Sequence, residues 1–233
     1  MAGLQQLVSL PEAAARLQIS QKRARDLARG GQLRTIKLGR EYLVDVGSIR
    51  HRQQVMHPQP GRPLSPRMAW ALLVLASGEE PDWVSPAERS RLRRYLSRNI
   101  EQWPRLLQSR AELHRIRILA GPLRKLRELP GVASGGISAA ARYGLDLMPS
   151  GAEHELYVPA ESFRELREAG RIKLGASEPN VVVRVLPDQL PISIARDGLA
   201  PPAAVAVDLL EAGDERSARA GKRLLDQSGA GRR

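Results

Sequence analysis

Apolar positions at helical spacing open the chain: Leu10, Ala13, Ala14 and Leu17 fall on one face of a helix expected to begin at Leu10. Ser9-Leu10-Pro11-Glu12 reads as its capping box, with Pro11 in the first turn, where a missing N–H costs nothing. Gln18-Ile19 forms a short turn before Ser20, a second N-cap, which launches a helix over 21–29 that stops at Gly30-Gly31. On that second helix Ala24, Leu27 and Ala28 make the apolar side, and Lys22, Arg25, Asp26 and Arg29 lie opposite. Residues 33–38 and 42–44 are β-prone runs joined at Gly39-Arg40-Glu41, a hairpin or wing, and Asp45 can cap a third helix from Val46 to about Met56. Two helices separated by a short turn, the second basic on its outer face, match the way a recognition helix enters a major groove.

His57 to Pro63 holds three prolines and a glycine, so residues 57–66 read as a semi-rigid linker. Ser65-Pro66 then caps a short apolar helix, Met68 to Ala76, and Ser85-Pro86-Ala87-Glu88 launches an amphipathic one through Leu92 and Leu96. Residues 67–128 are expected to form an Arg-rich helical segment, and residues 129–226 a mixed α/β domain. Within the latter, a glycine-bounded turn at 131–136 leads into a small-residue helix. A strand is expected over 155–159, a helix over 160–169 and a central strand in the β-branched run 180–186. Pro201-Pro202 opens an apolar helix, Asp214 caps the last one, 215 to about 227, and the tail 227–233 is expected to be disordered. The expected fold class is α+β, mostly α.

Composition narrows the partners. The 233 residues carry a net charge of +12 and no cysteine, which excludes disulfides, thiolate nucleophiles and Cys-ligated metals and leads us to expect a cytoplasmic protein. No apolar run approaches the roughly 18 residues of a membrane span. With aromatic residues at 3%, stacking platforms for single-stranded bases are disfavoured, so any nucleic-acid partner should be double-stranded DNA, and the location nucleoid-associated. The charge is uneven: residues 1–60 carry 10 basic and 4 acidic side chains, residues 61–128 carry 14 and 7, and residues 129–233 carry 13 and 14. An anionic partner is therefore expected for the first 128 residues and a different role for the rest. The middle arginines, Arg89 to Arg98 and Arg105 to Arg127, read equally well as a solvated face around core tryptophans or as a surface for phosphate or an acidic protein.

The stretch LVSLPEAAARLQISQKRARDLARGGQLRTIKLGREYLVDVGSI, in residues 7–56, resembles the excisionase and MerR-like winged helix-turn-helix family. That resemblance implies that Gln21, Lys22, Arg23, Arg25 and Arg29 face the major groove, and that Lys37 and Arg40 in the wing reach backbone or minor groove. Lys22-Arg23-Ala24 stands where the family often has small polar residues, so base preference does not carry over.

The later part resembles the antitoxin domain of the abortive-infection type IV toxin–antitoxin family, called AbiEi-like. The carrying segments are Arg62 to Arg67, Ser134-Gly135-Gly136-Ile137-Ser138-Ala139-Ala140 with Gly144-Leu145, Tyr157-Val158-Pro159, Val181 to Pro187, and Ala204 to Arg216. Such proteins repress their own operon and oppose a nucleotidyltransferase-like toxin. The resemblance implies operator DNA and that toxin as partners; self-association is a further expectation, and the residues themselves lead us to expect no cofactor or metal.

Catalysis is not expected. A nucleotidyltransferase needs paired acids two residues apart, and Gly136-Ile137-Ser138 is followed only by a lone Asp146. The glycine turn lacks the phosphate-loop pattern, the four histidines are scattered, and Asp208 and Asp214 read as helix surface and N-cap. Two alternatives stay open: an excisionase-type recombination accessory factor, and a non-enzymatic DNA-binding scaffold.

Overall fold

The computed structural model describes residues 7–17, 19–39, 41–56, 62–97, 99–147, 154–188, 190 and 196–228. The fold is α+β and mostly α, with eleven α-helices and two small sheets among the described residues.

The first unit runs β1 (Leu7–Ser9), α1 (Leu10–Leu17), α2 (Gln21–Arg29), β2 (Thr35–Leu38), β3 (Glu41–Asp45) and α3 (Val46–Met56). Ser20 caps α2 by accepting the Arg23 amide, and Asp45 caps α3 through the Ser48 amide. The box expected at Ser9 is changed: Ser9 accepts the Glu12 amide, but Glu12 gives its carboxylate to Arg16 at 2.6 Å. The small strand β1 pairs antiparallel with β3, which turns the expected hairpin into a three-stranded sheet, β1-β3-β2. Ala13, Ala14, Ala24, Leu27, Ala28 and Ile49 close a separate small core against Val44.

The remaining elements are α4 (Pro66–Ala76), α5 (Pro86–Leu96), α6 (Trp103–Leu106), β4 (Glu112–Ile118), α7 (Ala120–Glu128), β5 (Ala133–Ser134), α8 (Gly136–Ala140), β6 (His154–Pro159), α9 (Ala160–Glu168), β7 (Ile172–Leu174), β8 (Val181–Leu186), α10 (Pro202–Glu211) and α11 (Glu215–Gln227). Their sheet has the order β5-β6-β8-β4-β7, with β6 and β8 parallel and the other pairs antiparallel. Alternation sorts the two faces of β8. Val181, Val183 and Val185 meet Phe163 and Leu166 of α9 and Leu123 and Leu126 of α7, while Arg184 faces α10. A strand covered on both sides reads as a continuous apolar run, the reason 180–186 was legible.

Two expectations change here. Residues 67–128 are not wholly helical, because Glu112–Ile118 is strand β4 between β8 and β7. Glu112, His114, Arg115 and Arg117 interrupt its apolar positions and leave Ile116 and Ile118 as its two β-branched residues, too few to make a β-branched run. The division at 128/129 consequently falls inside one unit: a single core joins Trp70, Leu92 and Trp103 to Tyr157, Val205 and Leu224. Of the expected linker, residues 57–61 lie outside the described residues, Pro66 already belongs to α4, and Leu64 is tied to α6 through its amide and the Leu106 carbonyl at 3.0 Å. Most of the expected tail also lies outside the described residues.

The winged unit is docked on the larger one. At the end of α2 the Arg115 amide of β4 donates to the Gly31 carbonyl at 2.9 Å. Gly31 has φ +70°, and a Cβ there would run into the Arg115 backbone; Gly175, φ +62°, meets the Arg29 backbone just as closely. Glycine is required at both positions by conformation and by backbone-to-backbone approach. From the same face, His51 of α3 lies close enough to Glu211 of α10 for their charges to couple.

Candidate nucleic-acid interface

The outer face of α2 is built by helix periodicity on a rigid apolar footing. At about 100° per residue, Gln21, Arg25, Arg29 and Lys22 fall within an arc of roughly 100°, with Asp26 just beyond and Arg23 on the flank. Ala24, Leu27 and Ala28, all buried, point the other way. Gln21, Lys22, Arg23, Arg25 and Arg29 are exposed, and no carboxylate among the described residues pairs with the four cations. Lys37 is exposed on β2, and Arg40 lies outside the described residues.

Unpaired cations on one helix face keep their field and their donors for an external anion. Asp26 on the same face disfavours phosphate beside it, and its chemistry suits acceptance from a base amino group. Arg52 of α3, which sequence reasoning did not single out, joins the cluster: burial, then the neighbouring Arg23 charge, lowers its pKa. Leu38 is 68% exposed in the wing, and Ile36 is partly exposed beside it. An apolar side chain at a wing can pack against sugar rings where lysine or arginine takes the phosphates.

A second group of charges lies in the core. Tyr157 of β6 and Arg184 of β8 are register partners on the sheet face beneath α10, from which Asp208 and Glu211 descend three residues apart. Arg110, just before β4, holds Glu211 in a two-bonded fork, Nη1–Oε1 2.7 Å and Nη2–Oε2 2.6 Å, and reaches Asp208 at 2.9 Å. Asp208 Oδ1 also accepts from Tyr157 Oη at 2.7 Å and Arg184 Nε at 2.6 Å, while its Oδ2 accepts the Gly136 amide at 3.1 Å. Asp208 is therefore buried, not helix surface as its sequence context implied, whereas Asp214 does cap α11. The glycine turn serves this carboxylate from within the chain.

Burial works against the charge of Glu211, yet Arg110 and Arg184 overcome it and hold its carboxyl at about 2. Burial and then Asp208 push the Tyr157 phenol up. For His51, burial dominates the Glu211 attraction and brings the imidazole down to about 4, with Arg115 and Arg184 acting in the same direction. A lone arginine in Val-Val-Val-Arg-Val-Leu and two acids in an otherwise apolar helix were readable signs of buried ion pairs.

The middle arginines divide. Trp70 and Trp103 are core, Arg110 belongs to the buried network, and Arg67 pairs with Glu88 while Arg89 and Arg93 pair with Glu80. Burial and bonding thus separate Arg110 from a face of mostly solvated cations. Asp146 lies at the surface, 3.8 Å from Arg216. Comparison with protein-family models, curated proteins and solved structures returns no match. Among the described residues, no helix is long and apolar enough to cross a membrane.

Proposed function

We propose that this protein is a DNA-binding antitoxin that represses its own operon, with α2 in the major groove and the wing on the adjoining backbone. One observation carries the DNA-binding part: a capped helix with six exposed polar or charged residues, four of them cations that no described carboxylate pairs, anchored on a small apolar core. The antitoxin part is supported by the AbiEi-like resemblance of the later segments, several of which converge on the Arg110–Arg184–Asp208–Glu211 network. In this reading the larger unit opposes a nucleotidyltransferase-like toxin and holds the winged unit in one orientation on the DNA.

Fluorescence anisotropy on a duplex from the region upstream of the chain's own gene tests the DNA-binding part. Replacement of Lys22, Arg23 and Arg25 by alanine is expected to weaken binding steeply and to flatten its salt dependence. Binding that survives the triple replacement would remove α2 from the interface. Co-purification with the product of the adjacent reading frame tests the antitoxin part, and an integrase there would favour the recombination reading instead.

A further inference from the structure

A cavity of about 220 Å³ opens at the β5 edge of the larger sheet. It lies three strands from β4, where α2 docks, which at about 4.8 Å per strand is on the order of 14 Å across the sheet. Arg127 enters it from the last turn of α7 and Arg142 from the turn after α8. Both are exposed, and neither has a carboxylate partner among the described residues. Ser134 and Ser138 supply hydroxyls; Ser138 Oγ already accepts the Glu155 amide at 2.8 Å, so its own proton remains to be donated.

Asp197 makes this more than a phosphate hole. It stands at φ +50° beside Gly198 at +71°, in a turn closed by reciprocal bonds between Arg196 and Leu199 of 3.0 and 2.9 Å. Two successive positive φ angles are the pattern of an Asp-Gly hairpin turn, so the carboxylate is carried on an ordinary, firm support. A carboxylate in the lining takes donors, not phosphate oxygens. Leu156 and Leu199 add an apolar wall on which carbon-bound hydrogens can pack.

We propose that this cavity binds a small phosphate monoester bearing hydroxyl groups, of about pentose-phosphate size. The Arg127 and Arg142 guanidiniums take the phosphate, which suits their planar donor forks, and Asp197 takes the hydroxyls. The volume falls below the roughly 300–1,000 Å³ of drug-sized sites, which favours a sugar phosphate over a dinucleotide. The site is separate from α2, so it stands or falls independently of the DNA-binding reading.

Calorimetric titration of the full chain with ribose 5-phosphate, inorganic phosphate and ribose tests it. Ribose 5-phosphate is expected to bind saturably, with either alone at least about tenfold weaker. Arg127→Ala with Arg142→Ala should abolish the heat while leaving the melting curve unchanged. Asp197→Asn, which the turn accepts because asparagine tolerates positive φ, should weaken ribose 5-phosphate about tenfold without weakening inorganic phosphate. Lys22, Arg23 and Arg25 replaced by alanine should change none of these titrations. Equal affinity for phosphate and ribose 5-phosphate, or no saturable heat up to about 10 mM, would overturn the proposal. So would loss of duplex DNA binding in the double arginine variant without any sugar-phosphate binding, since the pair would then serve a DNA backbone.

Discussion

Arg25 on α2 and Arg184 on β8 are the same residue in opposite circumstances. Arg25 stands in water without a described carboxylate, whereas Arg184 is buried against Asp208 at 2.6 Å and Glu211 at 3.2 Å. An exposed cation contributes little to folding and keeps its field for a partner. A buried one costs several kcal/mol to desolvate, and only close bonds to buried anions hold it in place. The winged unit thus presents its charge, and the larger unit spends its buried charge on its own architecture.

The comparison breaks most directly at Asp208. Asp208→Ala leaves Arg110 and Arg184 short of an anion, and the expected loss is about 3–5 kcal/mol of stability, visible as a lowered denaturation midpoint. A variant as stable as the parent would mean that the network is not structural. At the other pole, alanine at Lys22, Arg23 and Arg25 should cost about 3 kcal/mol of DNA affinity. The same variant should change folding stability by no more than about 0.5 kcal/mol in urea unfolding.

Acid should find the seam between the two regions. Because the folded pKa of His51 is lowered from 6.5 to about 4, its contribution is present above pH 6.5 and is lost as pH falls toward 4. The size expected is about 3 kcal/mol. Glu211 acts in the same sense lower down, between 4.5 and about 2. Urea midpoints measured across pH 4 to 7 should fall with acidity, and His51→Phe should flatten that limb.

Smaller effects sharpen the contrast further. Gly175→Ala should cost about 2 kcal/mol, because its positive φ and the Arg29 backbone both resist a Cβ, and hydrogen exchange should then rise in α2 before the larger core. Ser85→Ala removes one half of the reciprocal cap on α5, with an expected loss of about 1 kcal/mol in thermal unfolding.

Much of the winged unit was readable because its signals are local. Ser9, Ser20, Asp45 and the Gly30-Gly31 pair act within a turn of chain, and the starts of α1, α2 and α3 and the end of α2 follow from them. Strands β1, β4, β5 and β7 were not readable. The first, third and fourth are two or three residues long, and β4 carries arginine and histidine among its apolar positions. For Lys22, Arg25 and Arg29 periodicity foretold an outward place, Gln21, Arg23 and Lys37 were named only through the family resemblance, Arg40 lies outside the described residues, and the structure adds Arg52 from another helix.

By itself the amino-acid order determined the caps, the turns, the apolar faces and the uneven distribution of charge, since these depend on residues a few positions apart. Tertiary structure decided which charges are paired. Arg110 meets Asp208 and Glu211 across 98 and 101 residues of chain, and Arg184 meets Asp208 across 24. Those distances close only when β8 lies beside β6 in one register and α10 crosses above them, because buried charge is stable only where the fold brings its counter-charge within hydrogen-bonding reach.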